Sequence, residues 1–89
     1  MTLQDARVSV VGLGVSGRAA LDVLATLGAR ATGYDGAEAA VAAASSSPEV
    51  PAGTTLRACP DPQRLAEEVL GAQPDVVVVS PGVPATSPL

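Results

Sequence analysis

Gly12-Leu13-Gly14-Val15-Ser16-Gly17 is the stretch from which the fold can be read. It stands between an apolar run, Arg7 to Val11, and an amphipathic run, Ser16 to Leu27. The spacing is G-x-G-x-x-G, which marks a strand-loop-helix turn able to take a phosphate. Gly12 allows the tight turn out of the strand. Gly14 lets an anion approach bare backbone, and Gly17 lets the helix lie close on the strand. The first N–H groups of a helix have no intrahelical partner and sit at the positive end of its dipole. An anion there gains hydrogen bonds and a favourable field without any cationic side chain.

Working outward, strands and helices alternate. The valines of Arg7–Val11 suit a strand covered on both faces. In the following helix Ala20, Val23, Leu24 and Leu27 make an apolar stripe at i, i+3, i+4 and i+7, and Gly28 stands at a left-handed C-cap position. Arg30 to Asp35 reads as a second strand and Ala37 to Ala44 as a short, alanine-rich helix. Thr54 to Ala58 reads as a third strand. Asp61 is an N-cap with Pro62 at the first helical position. The third helix is expected to reach Leu70, with Leu65, Ala66, Val69 and Leu70 inward and Gly71 ending it. Asp75-Val76-Val77-Val78-Val79 gives the strongest strand signal and reads as a central, doubly covered strand. Ser80-Pro81-Gly82-Val83-Pro84 is a rigid loop. The predicted fold is α/β: a Rossmann-like parallel sheet of about four strands, order 3-2-1-4, with helices on both faces. In that order the loops after strands one, two and four meet at the switch point, where such sheets bind ligands.

Composition bounds the function. The chain has 89 residues and a net charge of −4, with five Arg, no Lys and no His. A chain this short buries only about 60–65% of its unfolded surface. Apolar residues make up 47% of it, mostly Ala and Val, and Tyr34 is the one aromatic residue. An acidic chain without aromatic platforms is not built for nucleic acid. Cys59 is alone, so no intrachain disulfide and no Cys/His metal cluster is expected; a small buried apolar role suits it. No apolar run nears the ~20 residues of a membrane span. No basic stretch followed by a long apolar run opens the chain, so no signal peptide is expected and a cytoplasmic location is.

Candidate site residues follow. Gly14, Val15, Ser16 and Gly17 offer main-chain amides to an anion. The Ser16 hydroxyl suits either a phosphate or the cap of its own helix. Asp35 lies 23 residues after Gly12, near the offset at which an acidic residue meets a ribose; a turn aspartate is the plainer alternative. Arg18 is the one basic residue near enough to reach a diphosphate. Ser80, Pro81 and Gly82 lie at the predicted switch point.

Val11 to Ala20, Gly28, Gly33-Tyr34-Asp35 and Val79-Ser80-Pro81-Gly82-Val83-Pro84 together resemble the N-terminal domain of the Mur ligase family of peptidoglycan synthesis. The likeness is to the members that add D-glutamate to UDP-N-acetylmuramoyl-L-alanine. The L-alanine-adding members usually carry an extra loop glycine and a histidine-containing later motif, neither present here. The resemblance implies a UDP-sugar site. Gly14, Val15, Ser16 and Gly17 would hold the diphosphate, Asp35 with Gly36 and Ala37 the uracil, and Ser80, Pro81 and Gly82 would close the site. The family often has a hydroxyl or basic side chain just after the aspartate, where Gly36 and Ala37 offer only backbone. The family's ATP and Mg²⁺ need a P-loop lysine, and this chain has no lysine and no G-x-x-x-x-G-K-[ST]. Residues 1–89 are therefore expected to form a substrate-binding domain of a longer ligase, inactive alone and one strand short. The valine strand would then be an edge, with self-association through Val76–Val79 or partial disorder of Ala85–Leu89 expected. An NAD(P)-binding half-domain of a dehydrogenase or nucleotide sensor fits the same loop and Asp35. A purely structural domain is a third reading.

Overall fold

Strand β1 (Arg7–Val11) lies inside the sheet, and Val8, Ser9, Val10 and Val11 are all buried. The computed structural model describes residues 2–80. In chain order, β1 is followed by α1 (Val15–Thr26), β2 (Arg30–Asp35), α2 (Glu38–Ser45), β3 (Thr55–Ala58), α3 (Pro62–Gly71) and β4 (Val76–Val79). The four strands are parallel, in the order β3-β2-β1-β4. This is the Rossmann-like α/β arrangement expected from the sequence.

The two-residue period of the strands sorts the core into two layers. Val8 and Val10 of β1, with Val76 and Val78 of β4, pack against Leu21 and Leu24 of α1 and against Ala44 and Val41 of α2. Val11, Tyr34 and Val77 point the other way, onto Leu65 and Val69 of α3, with Cys59 buried beside them. Helices thus cover both faces. The lead-in is more than polar: Leu3 and Ala6 pack on the first layer, and the Asp5 N–H donates to Gly28 O at 2.9 Å. No helix of the described residues is long and apolar enough to cross a membrane.

Several expectations are corrected by packing. Along α1 the inward residues are Gly17, Leu21 and Leu24, whereas Val23 and Leu27 are exposed. The contact at Gly17 sets the helix's rotation, so the buried line starts there and continues at i+4 and i+7. In α3, Leu65, Ala66 and Val69 are buried but Leu70 is 61% exposed. Gly71 remains helical; the chain turns at Gln73, whose φ is +53°. Among the described residues β4 pairs with β1 alone, so the valine run is the edge that the order 3-2-1-4 expects, and the reading of it as a central strand is corrected. Val79 is 45% exposed in consequence. The helix ends also shift by one residue: α1 begins at Val15 and α2 runs Glu38–Ser45.

The capping expectation at α3 is met. The Asp61 carboxylate accepts from the N–H of Gln63 at 2.9 Å and more distantly from Arg64. Asp61→Ala is expected to cost about 1 kcal/mol, the usual worth of such a cap. Urea unfolding followed by circular dichroism would measure it.

Candidate functional site

Three strand ends meet at one edge of the sheet. Past the end of β1, the Gly12 N–H still donates to Tyr34 O of β2 at 2.8 Å. Past β4, the Ser80 N–H donates to Val11 O at 2.8 Å. Past β3, the Cys59 N–H donates to Asp35 O at 2.8 Å. These ladder bonds bring the glycine loop, Asp35 and Ser80 to one place. Pro81 and Gly82, named with Ser80 from the sequence, lie outside the described residues, as does Ala85–Leu89.

The loop makes a sharp turn at Gly12, whose φ of +93° is open to glycine and strained for other residues. Leu13 then drops into the core and is 1% exposed. It is held there by Gly33, where an added Cβ would lie 2.8 Å from the Leu13 Cδ2 and 2.8 Å from the Leu56 Cδ2. Gly14 returns to ordinary extended backbone and serves as the N-cap of α1. A Cβ at Gly14 would meet nothing within 4 Å, so the space above it is open. A Cβ at Gly17 would collide with the Gly12 carbonyl, so helix and loop touch backbone to backbone there.

This geometry leaves an uncapped helix mouth. Gly14 has no side chain to cap with, and the first turn holds no acidic residue. The N–H groups of Gly14, Val15, Ser16 and Gly17 find no partner among the described residues; the first to do so is Arg18, on Gly14 O at 3.0 Å. Helix α3, by contrast, satisfies its first turn with Asp61. Gly14, Val15 and Ser16 are exposed whereas Gly17 is buried, so three of these donors stand open at the positive end of a twelve-residue helix and suit an anion. Val15 beside them is 73% exposed.

Ser16 does not cap α1. It stands inside the first turn, exposed, and its hydroxyl bonds to no other described residue. The alternative cap role is thereby corrected: a cap must precede the helix, and Gly14 occupies that place. Arg18 is half-buried, and its Nε is shut from solvent without a partner among the described residues. A Cβ at Gly36 would reach only ordinary contact, 3.6 Å from Cys59 O, so packing does not demand glycine there.

Asp35 is more engaged than a free ligand group. Its Oδ2 accepts from the Leu13 N–H at 2.8 Å and its Oδ1 from the Ala37 N–H at 2.8 Å. Each carboxylate oxygen has a second lone pair, so acceptor capacity remains. The roles of Leu13 and Gly33 were not legible from the loop motif. A lone glycine inside a strand is the signal that points to close approach there.

A cavity of about 300 Å³ opens at the opposite ends of the strands, lined by Arg7, Ser9, Arg30, Thr32 and Thr55 among others. Its lining climbs β1 as far as Ser9 and includes no residue of the glycine loop, so it is no part of this site.

No family model matches the chain. Over 85 residues, 94% of its length, it is 44% identical to the UDP-N-acetylmuramoylalanine–D-glutamate ligase of Mycolicibacterium vanbaalenii, and it spans 15% of that protein. The similarity runs through nearly all the elements described above, glycine loop and strand ends included. With its four-stranded Rossmann-like sheet, the chain is thus similar to one segment of a UDP-N-acetylmuramoylalanine–D-glutamate ligase.

Proposed function

We propose that the chain binds the UDP moiety of UDP-N-acetylmuramoyl-L-alanine. It would do so as the N-terminal domain of an ATP-dependent ligase that adds D-glutamate during peptidoglycan synthesis in the cytoplasm. The relative is named for joining these two substrates. One observation carries the reading: among the described residues the amides of Gly14, Val15 and Ser16 stand exposed and unpartnered at the mouth of α1, with Gly17 behind them and Asp35 and Ser80 at neighbouring strand ends. The diphosphate would take these amides. The uracil would lie toward Asp35 and Gly36, and Ser80 with Pro81 and Gly82 would border it. ATP and Mg²⁺ fall to other parts of the longer protein, because these residues include no lysine and no phosphate-binding loop of the ATP type. No step of the ligation runs through them.

Titration with UDP and, separately, with NAD tests this, watched by amide chemical shifts. UDP is expected to move Gly14, Ser16 and Asp35 while NAD does not. Shifts with NAD alone would favour a dehydrogenase-like half-domain, and no shift with either a structural one. Gly14→Ala is expected to weaken UDP binding about tenfold, the worth of one charge-assisted hydrogen bond lost to crowding. Its unfolding midpoint should fall only modestly, by the ~1 kcal/mol that Ala costs at an N-cap, because φ at Gly14 is −73° and its Cβ meets open space.

A further inference from the structure

We infer that Asp35 is a latch that holds the glycine loop in its anion-ready shape, a positioning role distinct from contact with a base or ribose. The inference rests on the nucleotide reading above for its ligand arm only. The Gly12 and Leu13 N–H groups both turn toward β2, onto Tyr34 O and Asp35 Oδ2, each at 2.8 Å. The next four N–H groups turn to no described partner. Leu13 is thus the boundary between amides spent on the fold and amides left for a ligand. The other carboxylate oxygen holds Ala37, the residue before α2, at 2.8 Å. One side chain therefore ties the loop after β1 to the loop after β2.

Electrostatics makes this role necessary to explain. A carboxylate beside a loop that takes an anion repels that anion, and the chain already carries −4. If Asp35 served only a base or ribose, removing its charge would leave binding of a bare anion unchanged or tighter. If it is a latch, removing it frees the Gly12–Leu13 peptide to rotate, and the open amides that follow lose their common aim. Preorganised donors bind because their ordering is already done. The two roles predict opposite signs for an anion that carries neither base nor sugar.

Asp35→Asn and Asp35→Ala test it, with inorganic pyrophosphate as the probe. Asn keeps one acceptor oxygen, so it can hold one of the two amides; Ala holds neither. In the ligand-free chain, Leu13 amide exchange is expected to quicken about tenfold in Asn and further in Ala, the scale of a charge-assisted bond. The Val10 and Val11 amides should keep their protection. Pyrophosphate affinity is expected to fall in the same order, by about tenfold for Asn. Affinity that holds or rises, or Leu13 exchange that does not change, overturns the latch. If the parent binds neither pyrophosphate nor UDP, the nucleotide reading fails by itself, and Leu13 exchange alone decides for or against the latch. Should the variants not fold, the parent still answers: a scalar coupling across the hydrogen bond from Leu13 N to Asp35 Cγ supports the latch, and its absence overturns it.

Discussion

Gly17→Ala is expected to destabilise the chain by about 3 kcal/mol or more, at the upper end of what overpacking costs. The added Cβ would overlap the Gly12 carbonyl oxygen and stand 2.8 Å from the Gly12 carbonyl carbon. Both are backbone atoms, so no side-chain rotation relieves the clash. Gly12 cannot yield freely either, because its N–H closes the β1–β2 ladder on Tyr34 O. The helix must then lift, and Leu21 and Leu24 would leave the layer they share with Val8 and Val10. Helix propensity argues the other way, since Ala is favoured over Gly by about 1 kcal/mol within a helix. The two effects differ in sign, which makes the experiment decisive. A chain of this length holds roughly 4–13 kcal/mol in all, so the variant should show a much lower urea midpoint by circular dichroism. A variant as stable as its parent would show that the helix does not rest on the loop.

The second large effect is expected at Leu13. Leu13→Ala should cost about 3 kcal/mol, within the usual range for emptying a buried leucine site. Leu13 fills the space over Gly33 and is 1% exposed. Its loss also removes the anchor beneath the glycine loop, so UDP affinity should fall even at temperatures where the variant is folded. Gly33→Ala in the same background is expected to restore part of the stability, because its methyl would enter the vacated volume. In the parent, that methyl would crowd the Leu13 Cδ2 and the Leu56 Cδ2, each at 2.8 Å. A double-mutant cycle should therefore show strong coupling between positions 13 and 33. Simple additivity would mean that the loop is not seated through this pair. Together with Gly14→Ala, the series separates three neighbouring loop positions: one that holds the helix, one that fills the core and one that meets the ligand.

The candidate site was only partly readable. The motif located the open amides and Asp35, because phosphate-binding geometry requires small residues at fixed spacing near a helix start. It did not show that Asp35 is already bonded to Leu13 and Ala37. That bond depends on how far β1 and β2 advance past one another, which the register Val11↔Tyr34 sets and no local pattern reports. Ser16 illustrates a finer limit. One residue in the helix start decides between cap and first turn, and the start is fixed by where Gly12 turns and Gly17 touches it.

From residues alone, alternation of valine runs with amphipathic stretches determined the parallel α/β fold and its strand order. Those signals are local and periodic, and few topologies accommodate them. The tertiary structure decided which face each helix buries and how the strand ends meet. Leu24 is buried and Val23 exposed, though both belong to one apolar stretch, because the contact of Gly17 with Gly12 rotates α1. Val76–Val79 looks like a strand buried on both sides, yet its place beyond β1 leaves one backbone edge without a described neighbour. Hydrophobicity tells a residue to leave water. Only the contacts between elements tell it which side of the molecule is dry.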